Sequence, residues 1–233
     1  MRITFRRFPA QSKAYSVIER DDGVVYRMQE FTRPGTELPH DLRHFVVERE
    51  LGVADGIWGG IAAGMVYTSM EHVEGRRPPH SAERSDELKR AQRQRIMRAE
   101  LLANLVEAIA MLDAPSGDDI RRITRAKLSV VPVKEPGADP ADVAGVPSPE
   151  ALARAARGLQ VEAARWARLR VGEELVYEWP LAAPAATVRT LRGVPRPRED
   201  GDRRGPGRTG SRRTGRRGPR LSGERQGRPA QRY

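Results

Sequence analysis

Two histidines four residues apart, His40 and His44, stand in the stretch LPHDLRHFVVERELG, residues 38–52. On a helix, this spacing lets two imidazoles grip one zinc ion from a single turn. The zinc-hydrolase helix of the same spacing is H-E-x-x-H, whose glutamate activates water at the metal. Here the acid after the first histidine is Asp41, with the same acid chemistry on a side chain one methylene shorter. It is the candidate catalytic base. Glu48 lies eight residues after His40, roughly 12 Å along a helix axis at about 1.5 Å per residue, too far for all three to meet one ion. Being four residues from His44, it is placed to orient that ring rather than to bind metal. A third ligand must come from elsewhere, and SMEHVEG offers Glu71, His72 or Glu74. The expected cofactor is zinc or a similar divalent cation, and the expected activity is hydrolytic. The same two histidines also read as hydrogen-bonded residues of a buried helix with no metal. His80, in PPHSAE, reads as a solvated loop residue.

These side chains need a helix to aim them. Pro39 suits a first turn, where its missing N–H costs nothing, and Gly52 suits the position just past the end. The helix is therefore expected over about residues 39–51. At 100° per residue, Leu42, Phe45 and Val46 share one face, while His40, His44, Val47 and Leu51 share the opposite one. Apolar groups on both sides predict a helix buried on both sides, with the imidazoles partly dry and in need of partners. A second, glycine-rich helix is expected from Asp55 to about Met70. There Gly56, Gly60 and Gly64 recur every four residues and would admit another backbone. Such an approach would bring Glu71, His72 and Glu74 back towards the first helix.

The segment LPHDLRHFVVERELGVADGIWGGIAAG, Leu38 to Gly64, resembles a block in small uncharacterised proteins of high-G+C bacteria. The pattern is L-P-H-D-L-x-H-x-x-V-E followed by a Gly/Ala-rich segment. The resemblance implies that His40, Asp41, His44 and Glu48 form a unit, and it carries no activity over. Other chemistries lack their residues. The His40-Asp41 doublet is like that of metal-dependent phosphohydrolases, which need an upstream histidine, and His40 is the first in the chain. There is no phosphate-binding G-x-x-x-x-G-K-[ST] and no G-x-S-x-G, and the G-x-G-x-x-G at Gly205 to Gly210 lies in the Arg/Gly/Pro-rich tail, with no β-prone run before it. With no cysteines, thiolate zinc sites, iron–sulfur clusters and cysteine nucleophiles are excluded.

The remaining elements predict an α+β fold. RITFRRF alternates, and the runs 14–19 and 24–28 flank Asp21-Asp22-Gly23, a hairpin signal. A long helix is expected over Ser85 to Leu112, charged and wet in its first half and apolar in its second, with a short helix after Asp118. Residues 131–147 form a proline-punctuated loop. Ser148-Pro149-Glu150 opens another helix to about Arg170, and EELVYEWPL returns as a strand to the N-terminal sheet. The expected organisation is one domain over residues 1–181 and a disordered Arg/Gly/Pro-rich tail over 182–233.

The formal net charge is +11, and it resides in the tail: residues 190–233 hold 14 Arg against 4 acids. Only Tyr233 there is aromatic, so the expected partner is a polyanion such as nucleic acid, held loosely and without sequence preference. The longest apolar run, IWGGIAAGMVY, has 11 residues. That falls short of the roughly 20 a membrane span needs, and no membrane partner is expected. The N-terminus does not read as a signal peptide, and the chain reads as cytoplasmic.

Overall fold

The computed structural model describes residues 1–9, 14–30, 38–128 and 145–180. The tail, 182–233, and most of the proline-punctuated loop lie outside them. Five strands and six helices are present among the described residues: β1 Arg2–Arg6, β2 Tyr15–Glu19, β3 Val25–Gln29, α1 His40–Leu51, α2 Ile57–Ala62, β4 Met70–Glu74, α3 Ser81–Ala91, α4 Arg93–Ala110, α5 Gly117–Leu128, α6 Pro149–Arg168 and β5 Glu174–Glu178. The strands form one antiparallel sheet in the order β4-β3-β2-β1-β5. The fold is α+β, and β5 returns to pair with β1 as its alternating residues predict.

Alternation sends one side of β1, β2 and β3 inwards. Ile3 sits opposite Ile18 and Tyr177, and Phe5 opposite Ser16 and Leu175. Gly23 makes the β2–β3 turn at φ 77°, a left-handed conformation that favours glycine. Against this face packs α1, through Phe45. Its ring lies 6.2 Å from Phe5, 4.9 Å from Tyr177 and 5.6 Å from Trp179, with Trp58 of α2 at 5.8 Å. The three edge-to-face pairs, with Phe5, Trp58 and Trp179, each add about 0.5–1.5 kcal/mol beyond the area they bury. On its other side α1 meets α4 and α6. Every residue from Leu42 to Glu48 is buried, as apolar groups on opposite faces predict. At the C-terminal end of α6, Glu162 accepts the Tyr177 hydroxyl at 2.5 Å and the Arg165 guanidinium at 3.1 Å, fixing that helix to β5.

Two helix expectations are corrected. The long helix is divided at Gln92, which has φ −105° and ψ 11°. The first piece, α3, is tied sideways by Ser85, whose buried hydroxyl accepts the Val66 N–H at 2.8 Å. The second, α4, carries the apolar face. Helical periodicity passes through such a break because no Gly or Pro marks it. The glycine-rich helix is the other correction: α2 ends at Ala62, Gly64 turns the chain at φ 112°, and Met70–Glu74 is an edge strand. MEHVE contains a single β-branched residue, so propensity gives little sign of a strand. The glycines also serve differently from a bare stripe. At Gly56 the missing Cβ leaves room for the Glu48 carboxylate, and at Gly60 for the Met65 sulfur. The close backbone neighbour belongs to Gly59, where a Cβ would fall 1.9 Å from the Ala54 carbonyl oxygen.

Candidate metal centre

Pro39 precedes α1, and Gly52 ends it in the left-handed region at φ 67°. The helix projects His40 and His44 from successive turns, with ring centroids 4.6 Å apart. The His44 ring is 1% exposed and the His40 side chain 31%. Facing them from α4 is Glu100, 42% exposed, whose Oε2 lies 3.2 Å from His44 Nε2. One ligand atom from each of His40, His44 and Glu100 can be chosen so that all three lie within 4.8 Å of one another. This group could hold a metal ion.

Each imidazole has a carboxylate at Nδ1. Asp41 Oδ1 is 3.1 Å from His40 Nδ1, and Glu48 Oε1 is 3.8 Å from His44 Nδ1. A metal-ligating histidine ordinarily has its second nitrogen held in this way. Yet neither nitrogen of His44 makes an aligned hydrogen bond, and Asp41 Oδ2 is likewise buried without a partner. Glu48 is itself anchored: Oε1 accepts the Ile57 N–H at 2.9 Å and Oε2 the Trp58 N–H at 3.0 Å. These are orphan donors at the start of α2, so one side chain both caps that helix and faces His44. Further along the same interface Arg43 pairs with Glu107. Buried pairs like this add little net stability; we read the Arg43–Glu107 pair as setting the register of α1 on α4.

Electrostatics follow from burial and these neighbours. Burial pushes the His44 imidazole down, but Glu100 and Glu48 outweigh it, and the pKa is pushed up to about 9. Burial pushes the Glu48 carboxyl up, against the opposing pull of His44 and the two N–H donors. His44 beside Glu100 holds that carboxyl below its usual range, despite partial burial. Glu30, just after β3, is pushed up to about 8 by burial and then by Asp41, and its Oε1 is buried without a partner.

Of the residues singled out in the sequence, His40, Asp41, His44 and Glu48 are brought together. Asp41 contacts His40 rather than standing apart as a free base. Glu71, His72 and Glu74 are not part of the group: they lie exposed on β4 at the sheet edge. His72 there bonds the Gly75 carbonyl at 2.8 Å and packs against Tyr26. His80 is exposed, with φ 55° just before α3. The third member, Glu100, was not expected from the sequence. The available signal was Glu100, Ala103 and Glu107, acids spaced i and i+7 around a small residue on an otherwise apolar stretch.

No protein-family model, curated protein or solved structure matches this chain. No helix among the described residues is long and apolar enough to cross a membrane.

Proposed function

We propose that this is a cytoplasmic protein in which His40, His44 and Glu100 hold a zinc-like divalent cation, and that the centre is hydrolytic. The observation that carries this reading is His44. Its two ring nitrogens are buried without an aligned hydrogen bond, and its Nε2 lies 3.2 Å from the Glu100 oxygen. Two ligand atoms each about 2.0–2.1 Å from one ion, at tetrahedral or octahedral angles, sit roughly 2.8–3.4 Å apart. A donor set of two histidines and one carboxylate, with no thiolate, suits zinc in the arrangement that leaves a coordination position open. Such a cation would act as a Lewis acid, polarising a carbonyl or phosphoryl group and making water a better nucleophile. Asp41 orients the His40 ring, Glu48 faces Nδ1 of His44, and partial exposure of His40 and Glu100 gives access from solvent.

Metal analysis of the purified chain is expected to return one zinc per molecule. His44→Ala and Glu100→Ala should each lose it, while His72→Ala retains it. Zinc retained in the first two variants, or absent from the wild type after reconstitution, would overturn the proposal.

A second reading concerns the tail and is favoured by its 14 arginines. We propose loose, sequence-independent contact with nucleic acid through residues 190–233. Binding to mixed-sequence RNA at 50 mM salt should fall at least tenfold by 200 mM and vanish when those residues are deleted. Binding that survives the deletion would refute it.

A further inference from the structure

Surface cations on two helices stand among acids. On α5, Arg121 reaches Asp118 at 2.5 Å and Arg122 reaches Asp119 at 2.9 Å. On α3, Glu83, Asp86 and Glu87 are interleaved with Arg84, Lys89 and Arg90. The outward face of α6 is different. Its buried residues are Leu152, Ala155, Ala156, Leu159, Glu162 and Trp166. At 100° per residue, Arg154, Arg157, Arg165 and Arg168 fall within about 80° of one another on the far side. All four are exposed. From Arg154 to Arg168 the row is roughly 21 Å long at about 1.5 Å per residue. Val161 and Ala164 lie within it, exposed and uncharged.

Little on this face neutralises the row. Glu150, one turn before Arg154, is the only acid on the exposed side of α6. Glu50 of α1 lies against Gly158 at the margin, and it is taken by Arg49 at 2.9 Å. Arg165 donates through Nη1 to both oxygens of buried Glu162, at 3.1 Å. Among the described residues, the side chains of Arg154, Arg157 and Arg168 make no ion pair or hydrogen bond. Cations in a last helical turn answer the helix dipole, which accounts for Arg165 and Arg168. Arg154 and Arg157, in the second and third turns, gain nothing from it.

We propose that this row grips the phosphate backbone of duplex DNA without reading its sequence. A guanidinium matches two phosphate oxygens at once, and the row is all arginine. Cations fixed along a helix suit a ligand whose charges are also fixed in a line, and a duplex carries one per about 1.7 Å. An anionic membrane surface calls for large apolar groups beside the cations, where α6 has Val161 and Ala164. So few contacts hold a duplex weakly, and the inference rests on the tail reading above for most of the affinity. It goes beyond that reading in placing a defined share of the phosphate contacts on the folded body.

The test is fluorescence anisotropy of a labelled, mixed-sequence duplex of about 20 base pairs with the full chain, from about 50 to 200 mM salt. Combining Arg154→Gln, Arg157→Gln and Arg168→Gln should make the slope of log affinity against log salt shallower by about 2–3, about 0.9 per lost contact. Arg84→Gln, Arg90→Gln and Arg93→Gln together remove the same charge from α3 and the start of α4, and should move the slope by less than about 0.5. A slope unchanged by the α6 substitutions, or changed equally by the other set, would overturn the row and leave the tail reading standing. Duplex binding that persists without residues 190–233 and still responds to the α6 substitutions would overturn the tail reading alone. No duplex binding by the full chain at the lowest salt would overturn both.

Discussion

Replacing Glu48 with alanine is expected to lower the unfolding free energy by about 3–5 kcal/mol, the range for removing one partner from a buried charged network. The side chain is 1% exposed, so water cannot take its place. Its loss leaves the Ile57 and Trp58 N–H groups without an acceptor and the His44 ring without its carboxylate at Nδ1. Glutamine should cost less, about 1–3 kcal/mol, because one acceptor oxygen remains while the NH2 group opposes the second donor. Gly56→Ala attacks the same arrangement from the opposite side, since its Cβ would fall 2.5 Å from the Glu48 carboxyl carbon. Urea denaturation of the three variants checks the order. An alanine variant as stable as the wild type would show that the carboxylate does not hold α2. On the metal reading, Glu48→Ala should also weaken zinc binding by about 10–100-fold through misorientation of His44.

The second large effect is on pH. His44 titrates near 9 in the folded chain against 6.5 for the free side chain. The folded protein therefore holds a proton that the unfolded chain releases. The stabilisation is complete below pH 6.5 and drains away as pH rises through 9. The pKa difference corresponds to about 3 kcal/mol. Glu30, also raised, acts in the same sense between 4.5 and about 8. His44→Asn separates the two: between pH 6 and pH 9.5 the metal-free wild type should lose about 3 kcal/mol more unfolding free energy in urea than the variant, which keeps only the Glu30 part. On the metal reading zinc would have to expel this proton, so its affinity should climb about tenfold per pH unit up to about 9. Affinity flat across that range would show that His44 is not a ligand.

Much of the fold was legible because it rests on local rules. Strand alternation, the Asp-Gly turn and the Ser148-Pro149 helix start each act over a few residues, and Ser148 Oγ does accept the Ala151 N–H, at 3.3 Å. The bounds of α1 followed from Pro39 and Gly52 in the same way. Features decided by distant partners were not legible. The break at Gln92 carries no Gly or Pro to mark it, and the anchoring of Val66 by Ser85 depends on tertiary contact, as does the edge strand β4, which propensity hardly marks. The candidate site divides along the same line. His40, Asp41, His44 and Glu48 sit on one helix, where spacing implies proximity. Glu100 is brought to His44 by the packing of α4 on α1, a contact between residues far apart in sequence. The same packing leaves Glu71, His72 and Glu74 at the opposite edge of the sheet from β5.

Burial within the trio is uneven: the His44 ring is sealed, while Glu100 is 42% exposed. An ion entering or leaving would pass the α4 carboxylate and the rim of His40, with no need for the core to open. A centre built in this way would take up or give up a cation at its rim while the scaffold beneath it stays shut.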